Sequence, residues 1–279
     1  MQDKVVVVTG ATSGIGQVAA EQLAAMGARI VLVARDRRRG EAALARLRER
    51  GPRAQHAIHY ADLSRVGETR QVAGAIAAAE PRVDVLINNA GALFTTRQVT
   101  ADGLERTFAT NHMSYFVLTE GLRERLAAAA PARVINTASD AHKGARLDWS
   151  DLQSERGYSG FAAYGRSKLC NILYTRELAR RLNGTGVTAN SLHPGFVATR
   201  FGDESGGWLS LGVRLAKKIA AISPEKGADT LVFLASAPEV AGASGAYFYK
   251  RRPARPSREA QDDDAAARLW AESEKLASL

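Results

Sequence analysis

The chain has 279 residues, 46% of them hydrophobic and 24% charged, which is the composition of a globular protein long enough to bury a substantial core. The net charge of +9 does not favour a nucleic-acid partner, because the basic clusters lie in separate segments with little aromatic interleaving. A single cysteine, Cys170, excludes an internal disulfide framework and suits a reducing compartment. The first predicted strand starts close to Met1 and no apolar run approaches the roughly 18 residues of a membrane span, so we expect a cytoplasmic protein without a signal peptide or a transmembrane segment.

Short β-branched runs alternate along the chain with longer segments of helical periodicity. Strands are predicted at residues 5–8, 29–33, 55–59, 83–87, 133–137, 187–192 and 246–249. Helices are predicted at residues 14–26, 38–50, 65–79, 101–129, 161–183, 224–236 and 265–277. This alternation requires right-handed crossovers and predicts one α/β domain over residues 1–279, a Rossmann-like, doubly wound parallel sheet of about seven strands with helices on both faces. Ligands of such sheets bind beyond the carboxyl ends of the strands.

The first strand leads into a helix through a turn with glycines at positions 10, 14 and 16. Glycine tolerates positive φ and lets a phosphate approach the backbone, while the amides and the positive dipole at a helix N-terminus attract anions. The turn therefore predicts binding of a dinucleotide pyrophosphate, although glycine turns also occur for purely structural reasons. The residues assigned to this contact are Gly10, Thr12, Ser13, Gly14, Ile15 and Gly16.

The second strand ends where the adenosine ribose of such a cofactor should arrive. Arginine at this point would pair with the 2′-phosphate of NADP, whereas a carboxylate would accept hydrogen bonds from the free hydroxyls of NAD. Arg35 comes directly after the strand and is followed by Arg38, so NADP is favoured over NAD. Asp36 would favour NAD if it faced the ribose, and a charged loop that leads into a helix is the structural alternative.

Two further strand ends supply candidate cofactor contacts at the same edge of the sheet. Asp62 and Leu63 follow the third strand and are predicted to hold the adenine edge, with a helix cap as the alternative role of Asp62. A second wall of the cofactor cleft is predicted after the fourth strand, from Asn89, Ala90 and Gly91.

The fifth strand delivers Ser139 to this edge, and a helical segment beyond it carries Tyr164 and Lys168. Because Tyr164 and Lys168 are four positions apart, their side chains project from one helix face within one turn. A tyrosine hydroxyl has a free pKa near ~10, and an adjacent ammonium favours the phenolate and lowers that pKa. The pair therefore suits proton transfer, although the same spacing also arises by chance on any helix.

These motifs, with Asn111 and Pro194-Gly195, resemble the short-chain dehydrogenase/reductase family over nearly the whole chain and in the same order. Residues 164–171, 192–199 and 268–276 are most similar to its retinol-dehydrogenase-like branch. The resemblance implies reversible hydride transfer between a nicotinamide and a carbonyl or alcohol substrate. The expected substrate is lipophilic, such as a retinal-like aldehyde or another apolar ketone.

The resemblance also implies a role for each residue of the site. Tyr164 would be the general acid in reduction and the base in oxidation, and Ser139 would hydrogen-bond the reacting oxygen. Lys168 would bind the nicotinamide ribose and lower the pKa of Tyr164, and Asn111 would hold a water in the proton relay. The nicotinamide loop would include Pro194, Gly195, Val197 and Thr199.

Three other functions remain as alternatives at this stage. An NAD-dependent alcohol dehydrogenase or a biosynthetic ketoreductase would use the same residues. A non-catalytic nucleotide-sensing protein is the alternative of another class, but it has no physical need for all four catalytic residue types. Helices of this family often pair across subunits, so a homodimer or homotetramer is consistent with the sequence.

The remaining segments are interpreted from their patterns. Residues 200–222 have apolar positions at helical spacing, which suit either a substrate lid or a helix packed on the core or on another subunit. Residues 250–279 are predicted as a tail, first a surface linker and then a docking helix. The 25 positions from Ser139 to Tyr164 predict a loop in the substrate wall. His142 in this loop is expected to be an ordinary polar histidine, because no second histidine or cysteine stands at metal spacing, and no metal is expected.

Overall fold

The computed structural model describes residues 1–195 and 223–278. Its strands form one sheet in the order β3-β2-β1-β4-β5-β6-β7-β8, in which all neighbours are parallel except the last pair. The strands are β1 Val5–Thr9, β2 Arg29–Ala34, β3 Ala57–Tyr60, β4 Val85–Asn88, β5 Ala132–Thr137, β6 Val187–His193, β7 Tyr247–Tyr249 and β8 Arg252–Pro253. The direction of winding reverses between β1 and β4, so a crevice opens there at the carboxyl ends of the strands. The predicted Rossmann-like, doubly wound α/β sheet is confirmed.

The described part of the sheet has one strand more than the seven that the pattern predicts. The additional strand is β8, which pairs antiparallel with β7 at the edge of the sheet. Two residues, one of them a proline, are too few to give a β pattern, and an edge strand tolerates proline because its N–H side need not pair.

Helices cover both faces of the sheet. They are α1 Gly14–Ala25, α2 Arg37–Arg50, α3 Val66–Ala79, α4 Arg106–Phe108, α5 Ser114–Gly121, α6 Arg123–Ala128, α7 Gly160–Arg181, α8 Pro224–Ser236 and α9 Asp263–Ala277. Val6 and Val8 of β1 pack into one core with α1, α2 and α8, whereas Val5 and Val7 pack into the other with α3, α5, α7 and α9. Burial on both faces accounts for the unbroken run of valines at residues 5–8, which ends at Thr9 before the turn.

The helix predicted at residues 101–129 starts later and is interrupted. Gly103 has φ +76°, which is outside the helical range. The buried Glu105 side chain accepts the N–H groups of Thr107 and Phe108, so Glu105 is the N-cap and the helix begins at residue 106. A π turn at Ala109–Met113 then widens the helix, and a further break after Gly121 separates α5 from α6. π turns are concentrated at functional sites, and this one contains Asn111.

The C-terminal segment, residues 250–261, is more than the surface linker that its arginines and prolines suggest. It contains β8 and a 3₁₀ turn at Glu259–Gln261, in which Ala260 is fully buried. Asp262 then caps α9 by accepting the Ala265 N–H, and the buried Trp270 of α9 stacks on Tyr174 of α7. The segment is therefore held against the body of the protein at both ends.

Within residues 1–195 and 223–278, the helices are all too short or too polar to cross a membrane. Cys170 of α7 is buried in the core, and burial raises the pKa of its thiol to about 12.

Candidate active site

The glycine turn after β1 adopts a conformation that only glycine tolerates easily. Gly10 and Gly14 have φ values of +69° and +61°. A Cβ on Gly10 would lie 2.8 Å from the Ala90 Cα, and a Cβ on Gly16 would lie 2.5 Å from the Gly10 carbonyl oxygen. The turn is thus packed against itself and against the residues after β4, which explains the need for glycine at these positions.

The residues after β4 hold this turn in place. Thr9 Oγ1 accepts the N–H groups of Asn89 and Ala90 at 2.9 and 3.0 Å, and the Asn89 amide donates to the carbonyls of Thr9 and Gly10. Asn89 and Ala90, which are predicted to form a wall of the cofactor cleft, therefore also hold the glycine turn in position. Thr9 directly follows the valine run and was not among the predicted site residues, because its contacts depend on the chain after β4 lying beside β1.

The helix N-terminus that follows the turn keeps its backbone donors available. Ser13 is the N-cap of α1, but its side chain makes no capping hydrogen bond. Ser13 Oγ instead accepts a hydrogen bond from Arg39 Nη2 at 3.2 Å. The backbone N–H groups of Gly14 and Ile15 therefore lie at a helix N-terminus without a side-chain cap, where the helix dipole is positive.

The end of β2 is basic, and its one acidic side chain is already engaged. Asp36 caps α2 by accepting the Arg39 N–H at 2.8 Å. Arg35 and Arg38 are exposed beside it. Arg39 of this cluster reaches the glycine turn, and it was not predicted because the contact depends on how α2 packs against α1.

Asp62 and Leu63 lie at the carboxyl end of β3, as predicted. Asp62 does not cap α3, because the N-cap residue is Arg65; it accepts the Ser64 N–H at 3.0 Å in a local turn. Burial tends to raise the pKa of Asp62, but the hydrogen bonds from Ser64 and the charge of Arg35 bring it below the ordinary value. Asp62 is therefore ionised, and Leu63 packs against the core.

Ser139, Tyr164 and Lys168 come together at the carboxyl end of β5. Burial raises the pKa of Tyr164 to about 12, and a hydrogen bond from Ser139 works in the opposite direction. The Lys168 Nζ donates to the Thr137 carbonyl at 3.0 Å and lies 5.5 Å from the centre of the Tyr164 ring. Burial lowers the pKa of Lys168 to about 7.

The direction of the Tyr164 shift is opposite to the one expected from its lysine neighbour. Desolvation disfavours the phenolate, and in this geometry it outweighs the hydrogen bond from Ser139, which lowers the pKa. At neutral pH Tyr164 therefore holds its proton, which is the state required of a general acid.

Asn111 lies in the π turn and faces the same group. Its amide nitrogen donates to the Ala92 carbonyl and to Ser167 Oγ, both at 2.9 Å, and its oxygen accepts the Ala92 N–H at 2.8 Å. Both amide hydrogens are used in fixing the chain after Gly91 against α7, so the water-holding role implied by the resemblance stays a prediction. A Cβ on Gly91 would lie 3.2 Å from Asn111 Oδ1 and 3.3 Å from Lys168 Nζ.

Ser139 begins a 3₁₀ turn, and residues 139–142 are called the Ser139 turn below. Ser139 Oγ accepts the Ala141 N–H at 3.2 Å. His142, predicted as a polar loop histidine, is instead fully buried, with its ring hydrogen-bonded to the main chain on both sides. His193 at the end of β6 is also packed and hydrogen-bonded, and its Nδ1 accepts the Asp140 N–H at 3.3 Å.

The loop between Ser139 and Tyr164 folds back onto the segment after β4. The Tyr158 hydroxyl donates to the Phe94 carbonyl at 2.9 Å and lies 3.1 Å from Thr107 Oγ1. Pro194 and Gly195 continue from β6 and are half-buried. Val197, Thr199 and the lid assigned to residues 200–222 lie outside the described residues. No cluster of three or more potential metal ligands occurs in the described ranges.

The comparisons with known proteins agree with this geometry. A family model described as short chain dehydrogenase matches residues 4–209. Human retinol dehydrogenase 13 is 41% identical over 283 residues, which cover 99% of this chain and 85% of that protein.

Two solved structures extend the likeness to the fold. An uncharacterized protein from Mycobacterium paratuberculosis matches with a TM-score of 0.79 at 33% identity, and the alignment covers 99% of this chain and 94% of that chain. The Pseudomonas aeruginosa RhlG/NADP active-site complex has a TM-score of 0.71 at 29% identity and covers 89% of this chain and 94% of its own. The chain belongs to the short-chain dehydrogenase/reductase family, in its retinol-dehydrogenase-like branch, and is an oxidoreductase of a family that binds nicotinamide cofactors.

Proposed function

We propose that the protein catalyses NADP-dependent hydride transfer between the nicotinamide and a lipophilic carbonyl or alcohol of the retinoid type. The observation that carries the proposal is the group formed by Ser139, Tyr164 and Lys168 at one edge of the sheet. The retinoid class rests on the name of the relatives, and an aromatic side chain near the site supports it. Phe161 lies three residues before Tyr164 on α7 and is 69% exposed, so an exposed apolar side chain lies within one helical turn of Tyr164.

The residues of the crevice fit a nicotinamide dinucleotide. The uncapped N-terminus of α1 offers backbone N–H groups to a pyrophosphate. The absent side chain at Gly91 leaves room beside Lys168, where a Cβ would crowd the ammonium at 3.3 Å. We assign the pyrophosphate to residues 10–16 and the nicotinamide ribose to Tyr164 and Lys168, and the cofactor, when bound, supplies or accepts the hydride.

Proton transfer is assigned to the protein. In reduction, Tyr164 gives its proton to the carbonyl oxygen, and its raised pKa ensures that the proton is there at neutral pH. Ser139 donates a hydrogen bond to the same oxygen as negative charge develops. Lys168, with a pKa of about 7, can return a proton towards Tyr164 near neutral pH.

The choice of NADP over NAD is supported by how the charges at the end of β2 are used. Asp36 is engaged in capping α2 and does not compete for the ribose. Arg39 lies at the glycine turn, and Arg35 and Arg38 are exposed nearby, so a 2′-phosphate would meet positive charge. The RhlG complex, which contains NADP, agrees with this choice.

A direct test follows NADPH absorbance with all-trans-retinal and with medium and long aldehydes and ketones, and runs NADH in parallel. Oxidation of NADPH that depends on a long apolar aldehyde supports the proposal. Oxidation of NADH alone would transfer the assignment to an NAD-dependent dehydrogenase. Tight NADPH binding without turnover on any carbonyl would favour a nucleotide sensor.

The single domain over residues 1–279 and the substrate lid at residues 200–222 are part of the same proposal. Removing residues 206–218 should then raise KM for a long aldehyde more than for a short one.

A further inference from the structure

We propose that His142 is a positioning residue for hydride transfer, and that through it the C-terminal segment fixes the place of the Ser139 hydroxyl. The imidazole joins two main-chain groups that are far apart in sequence. One belongs to Ser139 and the other to Ser257. The inference rests on the proposed function, because it gives Ser139 its role in that reaction.

The hydrogen bonds of the ring define its tautomer. The Ser257 N–H can only donate, and it lies 3.1 Å from His142 Nε2, so this nitrogen accepts. A neutral imidazole then carries its hydrogen on Nδ1, which donates to the Ser139 carbonyl at 2.6 Å. Burial lowers the pKa of His142, which favours this neutral form. The Ser139 carbonyl also accepts the His142 backbone N–H at 3.1 Å and is therefore held twice by the same residue.

The Ser139 turn has little freedom apart from this contact. The ring of Tyr247 in β7 lies edge-on to the His142 ring at 5.3 Å, and its hydroxyl donates to the Asp140 carboxylate at 3.1 Å. On the other side, Gly165 of α7 comes so close that a Cβ there would lie 2.6 Å from the Ala141 carbonyl oxygen. The turn is thus enclosed by β7, the C-terminal segment and the helix that carries Tyr164.

This enclosure explains how a contact behind Ser139 reaches the chemistry in front of it. Ser139 Oγ is fixed by the Ala141 N–H of the same turn, and Ser139 hydrogen-bonds Tyr164. A rotation of the peptide after Ser139 would move the hydroxyl relative to Tyr164. Displacement of a reacting group by about 1 Å can reduce a rate roughly 100-fold.

The chain offers a matched control in His56. Its Nδ1 accepts the Ile30 N–H at 3.0 Å and its Nε2 lies 3.0 Å from the Gly51 carbonyl, so it also joins two main-chain segments. It is 8% exposed and lies at the amino end of β2, at the opposite edge of the sheet from the site. Replacing His56 therefore measures how much stability and kcat are lost when a buried bridging histidine that makes no contact with Ser139 is removed.

The experiment compares His142→Phe and His56→Phe, each alone and in a Ser139→Ala background, with kcat, KM for NADPH and thermal stability measured for every variant. We expect His142→Phe to lower kcat by about 10- to 100-fold with little change in KM for NADPH. His56→Phe should lose comparable stability and keep kcat. In the Ser139→Ala background, His142→Phe should lower kcat less than about twofold further, because it acts through the same hydroxyl.

Two further variants keep the test decisive if His142→Phe does not fold. His142→Gln retains a donor and an acceptor and should recover part of kcat. Ser257→Pro removes the N–H that donates to the His142 ring, together with the hydroxyl that accepts the Ala260 N–H at 3.4 Å, and should lower kcat. Unchanged kcat in His142→Phe or Ser257→Pro, or a kcat loss that persists fully in the Ser139→Ala background, would overturn the proposal. A Ser139→Ala variant with normal kcat would instead overturn the proposed function.

Discussion

The two halves of the crevice are built by different means. On the cofactor side, the glycine turn is fixed by hydrogen bonds from the side chains of Thr9 and Asn89 to main-chain groups, at the point where β1 and β4 are neighbours. On the catalytic side, the Ser139 turn is fixed by residues 107 and 115 positions away in sequence, Tyr247 and Ser257. The cofactor side therefore depends on one pair of neighbouring strands, β1 and β4, whereas the catalytic side depends on the last strands of the fold being in place.

The largest effect should follow removal of the proton donor. Tyr164→Phe keeps the ring but deletes the hydroxyl, so kcat for carbonyl reduction should fall by about 100- to 10,000-fold. The Kd for NADPH, measured by fluorescence titration, should change far less, because only one assigned ribose contact is lost and the glycine turn remains intact. A variant that keeps most of its kcat would show that Tyr164 is not the acid.

A smaller effect is expected from breaking the cofactor side. Gly16→Ala places a Cβ against the Asn89 amide and 2.5 Å from the Gly10 carbonyl oxygen. Overpacking of this kind costs about 1–3 kcal/mol, so the Kd for NADPH should rise roughly 10- to 100-fold. Gly74→Ala is the control, since nothing lies within 4 Å of a Cβ there, and it should stabilise α3 and leave the Kd unchanged. Equal Kd values for the two variants would contradict the packing argument.

The basic end of β2 can be tested by the ratio of the two cofactor affinities. Arg39→Ala should weaken NADPH about 10-fold and leave NADH nearly unchanged, because only NADPH carries the 2′-phosphate. Arg37→Ala is a matched control, since the Arg37 guanidinium lies 4.5 Å from the centre of the Tyr60 ring instead. A loss of both affinities in Arg39→Ala would mean that Arg39 only supports the glycine turn.

The smallest effect concerns pH. Lys168 has a pKa of about 7, so it carries its proton below that pH and loses it above. If Lys168 resupplies Tyr164, kcat for reduction should decline as the pH rises through about 7, while the raised pKa of Tyr164 keeps the acid itself protonated. Lys168→Arg should abolish this decline, because a guanidinium stays charged, although kcat itself should fall. The same decline in both proteins would assign the titration to another group.

The positions of the glycine turn and of the group formed by Ser139, Tyr164 and Lys168 could be predicted from the sequence, because both depend on patterns within a few positions. Glycine spacing, strand ends and the four-residue step from Tyr164 to Lys168 follow directly from backbone geometry. Arg39 and His142 were not assigned because their contacts depend on how distant elements pack. The helix at residues 101–129 was predicted without interruption, since neither the Glu105 cap nor the π turn changes its apolar periodicity.

The pKa of Tyr164 also depends on features of the fold that local sequence patterns do not predict. From spacing alone, the nearby ammonium was expected to lower that pKa. Burial of both groups raises the pKa of Tyr164 and lowers that of Lys168, and burial depends on the whole fold around them. The four-residue spacing therefore predicts that the two side chains are neighbours, but it does not predict how far each is buried.

The most direct test of the account is label transfer from NADPH that is doubly deuterated at C4 of the nicotinamide. With all-trans-retinal as substrate, the account predicts retinol that carries one deuterium on the former carbonyl carbon, formed by the wild-type protein and not by Tyr164→Phe. Retinol without deuterium, or labelled retinol formed equally fast by Tyr164→Phe, would contradict it.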